Sequence, residues 1–99
     1  MKIYYLYILE CSDDSFYTGM TNNLTKRFVE HQTGKYPDCY TYTRRPVKLV
    51  FYAEFTDVNL AIAAEKQIKK WSRKKKLALI NGEFEKLPNL AKKKFKKKA

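Results

Sequence analysis

The sequence predicts a single small α/β domain of the α+β type, with a three-stranded, mainly antiparallel sheet flanked by helices in the order β-β-α-β-α-α. The chain has 99 residues, a length that suits one hydrophobic core. Two segments rich in aromatic and β-branched residues near the N-terminus are separated by turn residues, as in a hairpin. A third such segment lies between two segments with helical periodicity, which places helices on either side of it.

The segment KIYYLYILE, residues 2–10, is apolar at nearly every position, which predicts a strand covered on both faces. One face would carry Ile3, Tyr5, Tyr7 and Leu9, and the other Tyr4, Leu6 and Ile8. The returning strand is predicted over residues 15–20. Its Tyr17 shares a face with Tyr7 only if the loop has an odd length, such as Ser12–Asp14, or if a bulge restores the phase.

A helix is predicted within residues 21–35, because Asn22 or Asn23 can serve as N-cap, Leu24, Phe28 and His31 recur at helical spacing, and Gly34 closes the helix. Arg27 and His31 are four residues apart and would therefore be neighbours along one edge of this helix. Residues 36–46 form an aromatic, basic loop. The third strand, 47–55, is predicted from alternating apolar residues, namely Val47, Leu49, Phe51, Ala53 and Phe55.

The second helix, 58–71, follows Asp57 as N-cap, and Glu65 lies at the margin of its apolar stripe. That stripe is Leu60, Ala61, Ala64, Ile68 and Trp71. Ser72 caps a short basic helix over 73–81, which Gly82 ends, and a loose helix is expected over 84–95. We therefore expect a domain over residues 1–81 and a lysine-rich extension over 82–99.

The basic charge is concentrated at the C-terminal end of the chain. The formal net charge is +11. Residues 66–99 hold 14 of the 21 Lys and Arg but only two of the ten Asp and Glu, so the first 65 residues carry one more acid than base. Such a concentration suits a polyanion such as DNA, with RNA as the alternative, through phosphate contacts and counterion release. A solubilising lysine surface is the other interpretation of the charge alone.

Several protein classes are disfavoured by the sequence. No segment approaches the ~20 apolar residues of a membrane helix, and the N-terminus lacks a signal-peptide cleavage pattern. Cys11 and Cys39 form no C-x-x-C pair, and there is one histidine, so zinc binding is disfavoured. Two isolated thiols in an untargeted chain suggest the reducing cytoplasm. Motifs of serine hydrolases, P-loop NTPases, zinc proteases and dinucleotide-binding proteins are absent.

The ordered residues Tyr5-Leu6-Tyr7, Tyr17-Thr18-Gly19, Arg27, His31 and Glu65 resemble the motif set of GIY-YIG nucleases. The likeness covers roughly residues 3–81 and is closest to small stand-alone members related to the N-terminal incision domain of the excision-repair nuclease. Two positions depart from the family's name, since tyrosine replaces the glycine of the first motif and threonine the isoleucine of the second.

The resemblance implies a metal-dependent DNA endonuclease with little sequence preference, acting in repair or recombination. It implies Glu65 as ligand of one divalent metal, Mg²⁺ or Mn²⁺, and Arg27 as a phosphate contact. Tyr7 is favoured over Tyr17 as the base that takes a proton from water, with His31 supporting either tyrosine. Tyr5 and Gly19 complete the motifs.

Further nucleic-acid contacts are expected from the aromatic and basic loop and from the basic helices. These residues are Tyr42, Arg44, Arg45, Lys69, Lys70, Arg73, Lys74, Lys75 and Lys76. The loop residues could equally pack the loop onto the sheet. Two rival functions stay open, a non-catalytic nucleic-acid-binding module of the same fold and a basic adaptor that binds a protein partner. Oligomeric state has no signal in the sequence.

Overall fold

A computed structural model of the chain describes residues 2–83. Its elements follow the predicted order: β1 (Tyr4–Glu10), β2 (Phe16–Thr21), α1 (Leu24–Thr33), β3 (Lys48–Phe55), α2 (Val58–Lys69) and α3 (Arg73–Ile80). A short 3₁₀ helix, Tyr42–Arg44, interrupts the loop before β3. The helix predicted over 84–95 lies outside the described residues. No helix within residues 2–83 is long and apolar enough to cross a membrane.

The three strands form one antiparallel sheet in the order β2-β1-β3, so β1, the strand expected to be covered on both faces, is the central one. The β1–β2 loop is the three-residue Ser12–Asp14, because the backbone N–H of Cys11 donates to the carbonyl of Ser15 at 2.8 Å. Asp14 takes the left-handed conformation that such a loop requires, with φ 67°. Leu9 pairs with Tyr17 in this register.

The sheet separates two apolar clusters, as its two-sided apolar central strand predicts. Leu6 and Ile8 pack with Ala64 and Ile68 of α2 and with Leu79 of α3. On the opposite face, Tyr7 and Leu9 form a cluster against which Leu24 and Phe28 of α1 pack. The Gln32 side chain fastens α1 to the start of β3 through two hydrogen bonds with the backbone of Val47, of 2.8 and 2.9 Å.

The expectation that the odd-numbered apolar residues of β3 share one face is wrong. A register shift between Ile8 and Leu9 pairs Ile8 with Phe51 but Leu9 with Leu49, so β3 contains one extra residue. A bulge of this kind reverses the alternation of side chains on its two sides. Leu49 and Val47 consequently join the cluster beneath α1, whereas Phe51 and Ala53 face α2.

The predicted helix caps are present, but the apolar stripe of α2 is narrower than expected. The side chains of Asn23, Asp57 and Ser72 each accept a backbone N–H at a helix start. Leu60 is 54% exposed, because the stripe through Ala61, Ala64 and Ile68 already faces the sheet and Leu60 lies beside it. Helix α2 also ends at Lys69, before Trp71, since Ser72 must be extended to cap α3.

Candidate active site

Tyr7 lies at the centre of the candidate site and is 1% exposed. It pairs across the sheet with Gly19, where a Cβ atom would lie 2.6 Å from Cζ of Tyr7. No side chain fits there unless the ring of Tyr7 moves. The glycine of the second motif therefore leaves room for the tyrosine of the first, which is a packing reason rather than a turn requirement.

A chain of buried hydrogen bonds runs from Tyr7 through His31 to Thr41. The Tyr7 hydroxyl is 2.8 Å from Nε2 of His31, and Nδ1 of His31 is 2.8 Å from Oγ1 of Thr41. The Thr41 hydroxyl donates to Sγ of Cys39 at 3.5 Å. We therefore assign the imidazole proton to Nδ1, which leaves Nε2 to accept from Tyr7. Burial, with the charge of Arg27, lowers the pKa of His31 and keeps it neutral at pH 7.

Tyr17 lies beside this chain and is the more accessible of the two tyrosines. The predicted condition for a shared face is met, and the ring centroids of Tyr7 and Tyr17 are 6.4 Å apart. Tyr17 contacts His31 edge-on at 5.2 Å and stacks on Tyr40 at 6.1 Å. Burial, with contributions from Cys39 and Glu65, raises the pKa of Tyr17 to about 12. Burial also raises the pKa of Tyr7.

Arg27 is fixed by a buried carboxylate. Its Nε lies 3.1 Å from Oε1 of Glu30, and Oε2 of the same carboxylate lies 3.2 Å from Nζ of Lys35. The Arg27 side chain remains 38% exposed, and it is near enough to Tyr7 to oppose the raising of that pKa. The geometry presents a guanidinium beside the tyrosines with donors left for a ligand.

Glu65, on α2, is near enough to Tyr17 to contribute to the raising of its pKa. Its carboxylate is 18% exposed and pairs with Lys69, whose Nζ lies 2.9 Å from Oε2 of Glu65 and 5.9 Å from the ring centroid of Tyr17. No three His, Cys, Asp or Glu side chains converge within residues 2–83. A single accessible carboxylate fits Mg²⁺, which keeps several waters and takes further oxygens from a phosphate.

The remaining motif and loop residues lie apart from this cluster. Tyr5 is on the Tyr7 face, but its ring pairs with Tyr52 at 6.2 Å. Arg44 pairs with Asp13 of the β1–β2 loop at 3.0 Å and covers the Tyr40 ring. Arg45 donates to the carbonyl of Tyr42 at 2.8 Å and stacks on its ring. Of the two interpretations left open for this loop, these contacts favour packing.

The six basic residues from Lys69 to Lys76 that were predicted to contact nucleic acid differ in exposure. Five of them are at the surface, namely Lys69, Lys70, Arg73, Lys74 and Lys75. Arg73 nevertheless donates to the backbone carbonyl of Asp14 and lies over the Phe16 ring. Lys76 departs from the set, since it is buried at 8% exposure with its pKa lowered by burial and by Lys69.

Sequence reasoning missed three residues that position the site. Glu30 had a weak signal, since its i+3 spacing from Arg27 is that of a helical ion pair. The sequence gives no signal for Thr41 and Cys39, because they lie in an irregular loop whose path is set by packing. They reach His31 from ten and eight residues further along the chain.

Comparison with known proteins identifies the family. A family model described as the GIY-YIG catalytic domain matches residues 3–78. This chain belongs to the GIY-YIG family. It is 53% identical over 76 residues to a UPF0213 protein of Syntrophus aciditrophicus, covering 77% of this chain and 87% of the relative. A UPF0213 protein of Clostridium perfringens is 45% identical over 91 residues, covering 89% and 94%.

Two solved structures are similar to this GIY-YIG protein in both sequence and fold. A UPF0213 protein from Bacillus halodurans, solved by NMR, has 39% identity and a TM-score of 0.53, with 80% of this chain and 83% of that chain covered. A protein from E. faecalis, also solved by NMR, has 36% identity and a TM-score of 0.59, with 83% and 86% covered. The match confirms the predicted fold class.

The family supports a general statement about chemistry. GIY-YIG proteins are nuclease-type enzymes that bind nucleic acid and generally depend on a divalent metal. The relation to the excision-repair incision domain is general to the superfamily. It therefore points to no particular pathway for this chain.

Proposed function

We propose that this protein is a metal-dependent endonuclease that hydrolyses phosphodiester bonds in DNA with little sequence preference. The proposal is carried by one observation. The rings of Tyr7 and His31 contact Tyr17, the Glu65 carboxylate is near enough to Tyr17 to contribute to the raising of its pKa, and Arg27 is near enough to Tyr7 to oppose the raising of that pKa. A phosphate at this place would meet a cationic fork, a hydroxyl and a carboxylate together.

Burial favours Tyr17 over Tyr7 as the tyrosine that contacts the attacking water. The proton acceptor must come within hydrogen-bond reach of that water, and a tyrosine accepts the proton only as a phenolate. Its own proton must therefore leave to solvent first, which requires Arg27 and the divalent ion to lower the pKa of Tyr17 from about 12. The hydroxyl of Tyr7 is enclosed and already bonded to His31, whereas Tyr17 is only partly buried. This reverses the preference for Tyr7 that the resemblance suggested. Tyr7 and His31 hold the inner side of the site, and we propose that they position Tyr17.

Arg27 and Glu65 supply the charges of the proposed reaction. Arg27, with Nε occupied by Glu30, offers its remaining donors to the scissile phosphate and stabilises the negative charge that develops there. Glu65 would hold the divalent ion, Mg²⁺ or Mn²⁺, after releasing Lys69. When bound, that ion supplies Lewis-acid stabilisation of the phosphate and of the leaving 3′-oxygen.

The finer parts of the proposal concern setting and pathway. Both cysteines are free thiols, which suits the reducing cytoplasm. A role in DNA repair or recombination follows if branched or damaged DNA is cut in preference to intact duplex. RNA is the alternative substrate, and we expect it to be cut more slowly than DNA.

The test is nicking of supercoiled, branched and single-stranded DNA at low salt with Mg²⁺ or Mn²⁺, with a chelator control. Wild type should cut, and Glu65→Gln should bind DNA but not cut. Glu54→Gln, at an exposed carboxylate on β3, is the matched control and should cut normally. If wild type binds all substrates and cuts none, the non-catalytic module is correct. If it binds no nucleic acid even at ~50 mM salt, the adaptor is correct.

A further inference from the structure

Lys76 is a largely buried lysine whose ammonium has no anionic partner among the described residues. It is 8% exposed, while Lys74 and Lys75 before it in α3 are at the surface. No hydrogen bond or ion pair joins its side chain to another residue of the range 2–83, and the charge that acts on it is that of Lys69. The aliphatic stem of Lys76 is packed inside while the ammonium keeps access to solvent, so a ligand that arrives from solvent can reach the charge.

The Lys76 side chain lines an open cavity of about 250 Å³, a concave surface rather than an enclosed space, at the free edge of β2. Its lining residues are Phe16, Tyr17, Thr18, Tyr40, Lys69 and Lys76. Two cations, two tyrosines and no carboxylate therefore surround one space. The Thr18 hydroxyl is buried in this wall and has no hydrogen-bond partner in the described part of the chain, so the wall also holds an unused donor.

The acidic groups near Lys76 are already engaged or lie on its other side. Glu65 pairs with Lys69. A separate open groove on the far side of Lys76 is lined by Asp13 and Asp14. Asp13 is bonded to Ser15 and Arg44, and no carboxylate among residues 2–83 lies within 4 Å of the Lys76 ammonium. The cavity therefore lies on the side of Lys76 where no carboxylate of residues 2–83 neutralises its charge.

We propose that this cavity binds a backbone phosphate of the nucleic acid next to the scissile one, with Lys76 as its anchor and Lys69 as the second cation. The proposal rests on the proposed function for the position of the scissile bond. Tyr17 is shared by the cavity and the candidate active site, so adjacent phosphates of one strand would reach both.

This binding point differs in kind from the surface lysines. A surface lysine contributes through counterion release, without a fixed place for any phosphate. A buried lysine with a defined cavity selects one phosphate and fixes the strand relative to Tyr17. Removal of the Lys76 ammonium should therefore abolish the contribution of one particular phosphate of the strand to binding.

The test measures binding of a short unphosphorylated DNA strand to the full-length protein in chelator, where no cleavage occurs. Single methylphosphonates, which are neutral, replace each phosphate in turn. In wild type, one internal position should weaken binding about tenfold and its neighbours less than threefold. Lys76→Met, which keeps the apolar stem, should weaken binding of the unmodified strand about tenfold and abolish the effect at that position. Lys66→Met, at an exposed lysine outside the cavity, should change binding less than twofold and retain the effect.

Each contrary result overturns the inference. Equal losses at all positions in wild type would show that no phosphate is anchored, whether or not the variant folds. Additive losses for Lys76→Met and the methylphosphonate would place them at separate sites. A gain that appears only with a 5′-phosphate would assign the cavity to strand ends instead of the backbone. If Lys76→Met and one methylphosphonate position are coupled but wild type does not cut DNA, the proposed nuclease activity is refuted and the phosphate site stands. If wild type cuts DNA but no such coupling is found, the phosphate site is refuted and the nuclease activity stands.

Discussion

At the scale of single residues, the candidate site depends on the fit around Tyr7. Gly19 leaves the space for its ring, and Nε2 of His31 accepts a hydrogen bond from its hydroxyl. The sequence indicated which residues belong together, but it assigned Gly19 to a motif without a physical role. The role became visible only with the register, since a pairing partner cannot be derived from a three-residue motif.

Alanine at Gly19 should remove activity by displacing Tyr7. The added Cβ overpacks a buried ring, which costs about 1–3 kcal/mol of stability. Gly82→Ala is the matched control: its φ of 74° makes alanine cost about 1 kcal/mol, but nothing lies within 4 Å of the new atom. We expect cleavage to fall at least ~100-fold in Gly19→Ala and to persist in Gly82→Ala, in assays at a temperature where both are folded. Normal cleavage by a folded Gly19→Ala would show that the position of Tyr7 is unimportant.

His31 should make the stability of the fold depend on pH below neutrality. Its pKa is lowered in the folded protein, so as pH falls below about 6.5 the unfolded chain takes up the proton first. Stability is therefore fully present above that pH and decreases as pH falls toward 5. Urea unfolding midpoints from pH 7.5 to 5 should decrease in wild type and change less in His31→Gln, which removes the chain's one histidine. Equal pH dependence in both proteins would contradict the buried, neutral histidine.

At the scale of secondary-structure elements, loop length decides which side chains meet. The parity rule correctly linked an odd β1–β2 loop to a shared face for Tyr7 and Tyr17. The same alternation rule wrongly placed the odd-numbered apolar residues of β3 on one face. The extra residue of the bulge lies in an unbroken run of apolar residues, so the sequence gives no sign of it. Hairpin turns have sequence signatures, whereas a bulge inside a buried strand is set by packing on both faces.

Deletion of Ser15, with the loop Ser12–Asp14 kept, should separate Tyr17 from Tyr7. The three-residue loop then joins Cys11 to Phe16, so Tyr17 comes opposite Glu10 and moves to the face toward α2, unless a bulge compensates. We expect cleavage to be lost and the nuclear Overhauser contacts between Tyr17 and His31 to disappear. Asp14→Gly keeps the register and suits the left-handed φ of 67°, so it should cleave normally. Retained contacts and cleavage in the deletion variant would contradict the register argument.

At the scale of the whole molecule, charge is divided between the first 65 residues, which are nearly neutral, and a basic C-terminal third. The composition alone predicted a polyanion partner, and the family agrees with nucleic acid. It could not predict that one of those lysines is buried, because Lys76 lies in an unbroken run of basic residues with no distinguishing neighbour. Its position on α3 relative to β2 follows from how the two helices pack on the sheet.

Removal of residues 84–99 should weaken DNA binding without changing the site of cleavage. The segment holds seven lysines and one glutamate, and its loss should make the slope of log K against log salt shallower by up to about six. Binding titrations from 50 to 200 mM salt measure this slope. The cleavage pattern on a fixed substrate should stay the same, because phosphate contacts carry no base information. An unchanged slope would mean that the segment makes no nucleic-acid contact.

The most direct test of the account compares single-turnover cleavage by Tyr17→Phe with that by Tyr52→Phe, both in saturating Mg²⁺. Tyr52 is an exposed tyrosine of the same sheet and loses the same hydroxyl without touching the proposed site. The account predicts that Tyr17→Phe binds DNA as wild type does but cuts at least ~100-fold more slowly, while Tyr52→Phe cuts normally. Cleavage by Tyr17→Phe at the wild-type rate would contradict the assignment of Tyr17 and the proposed site built around it.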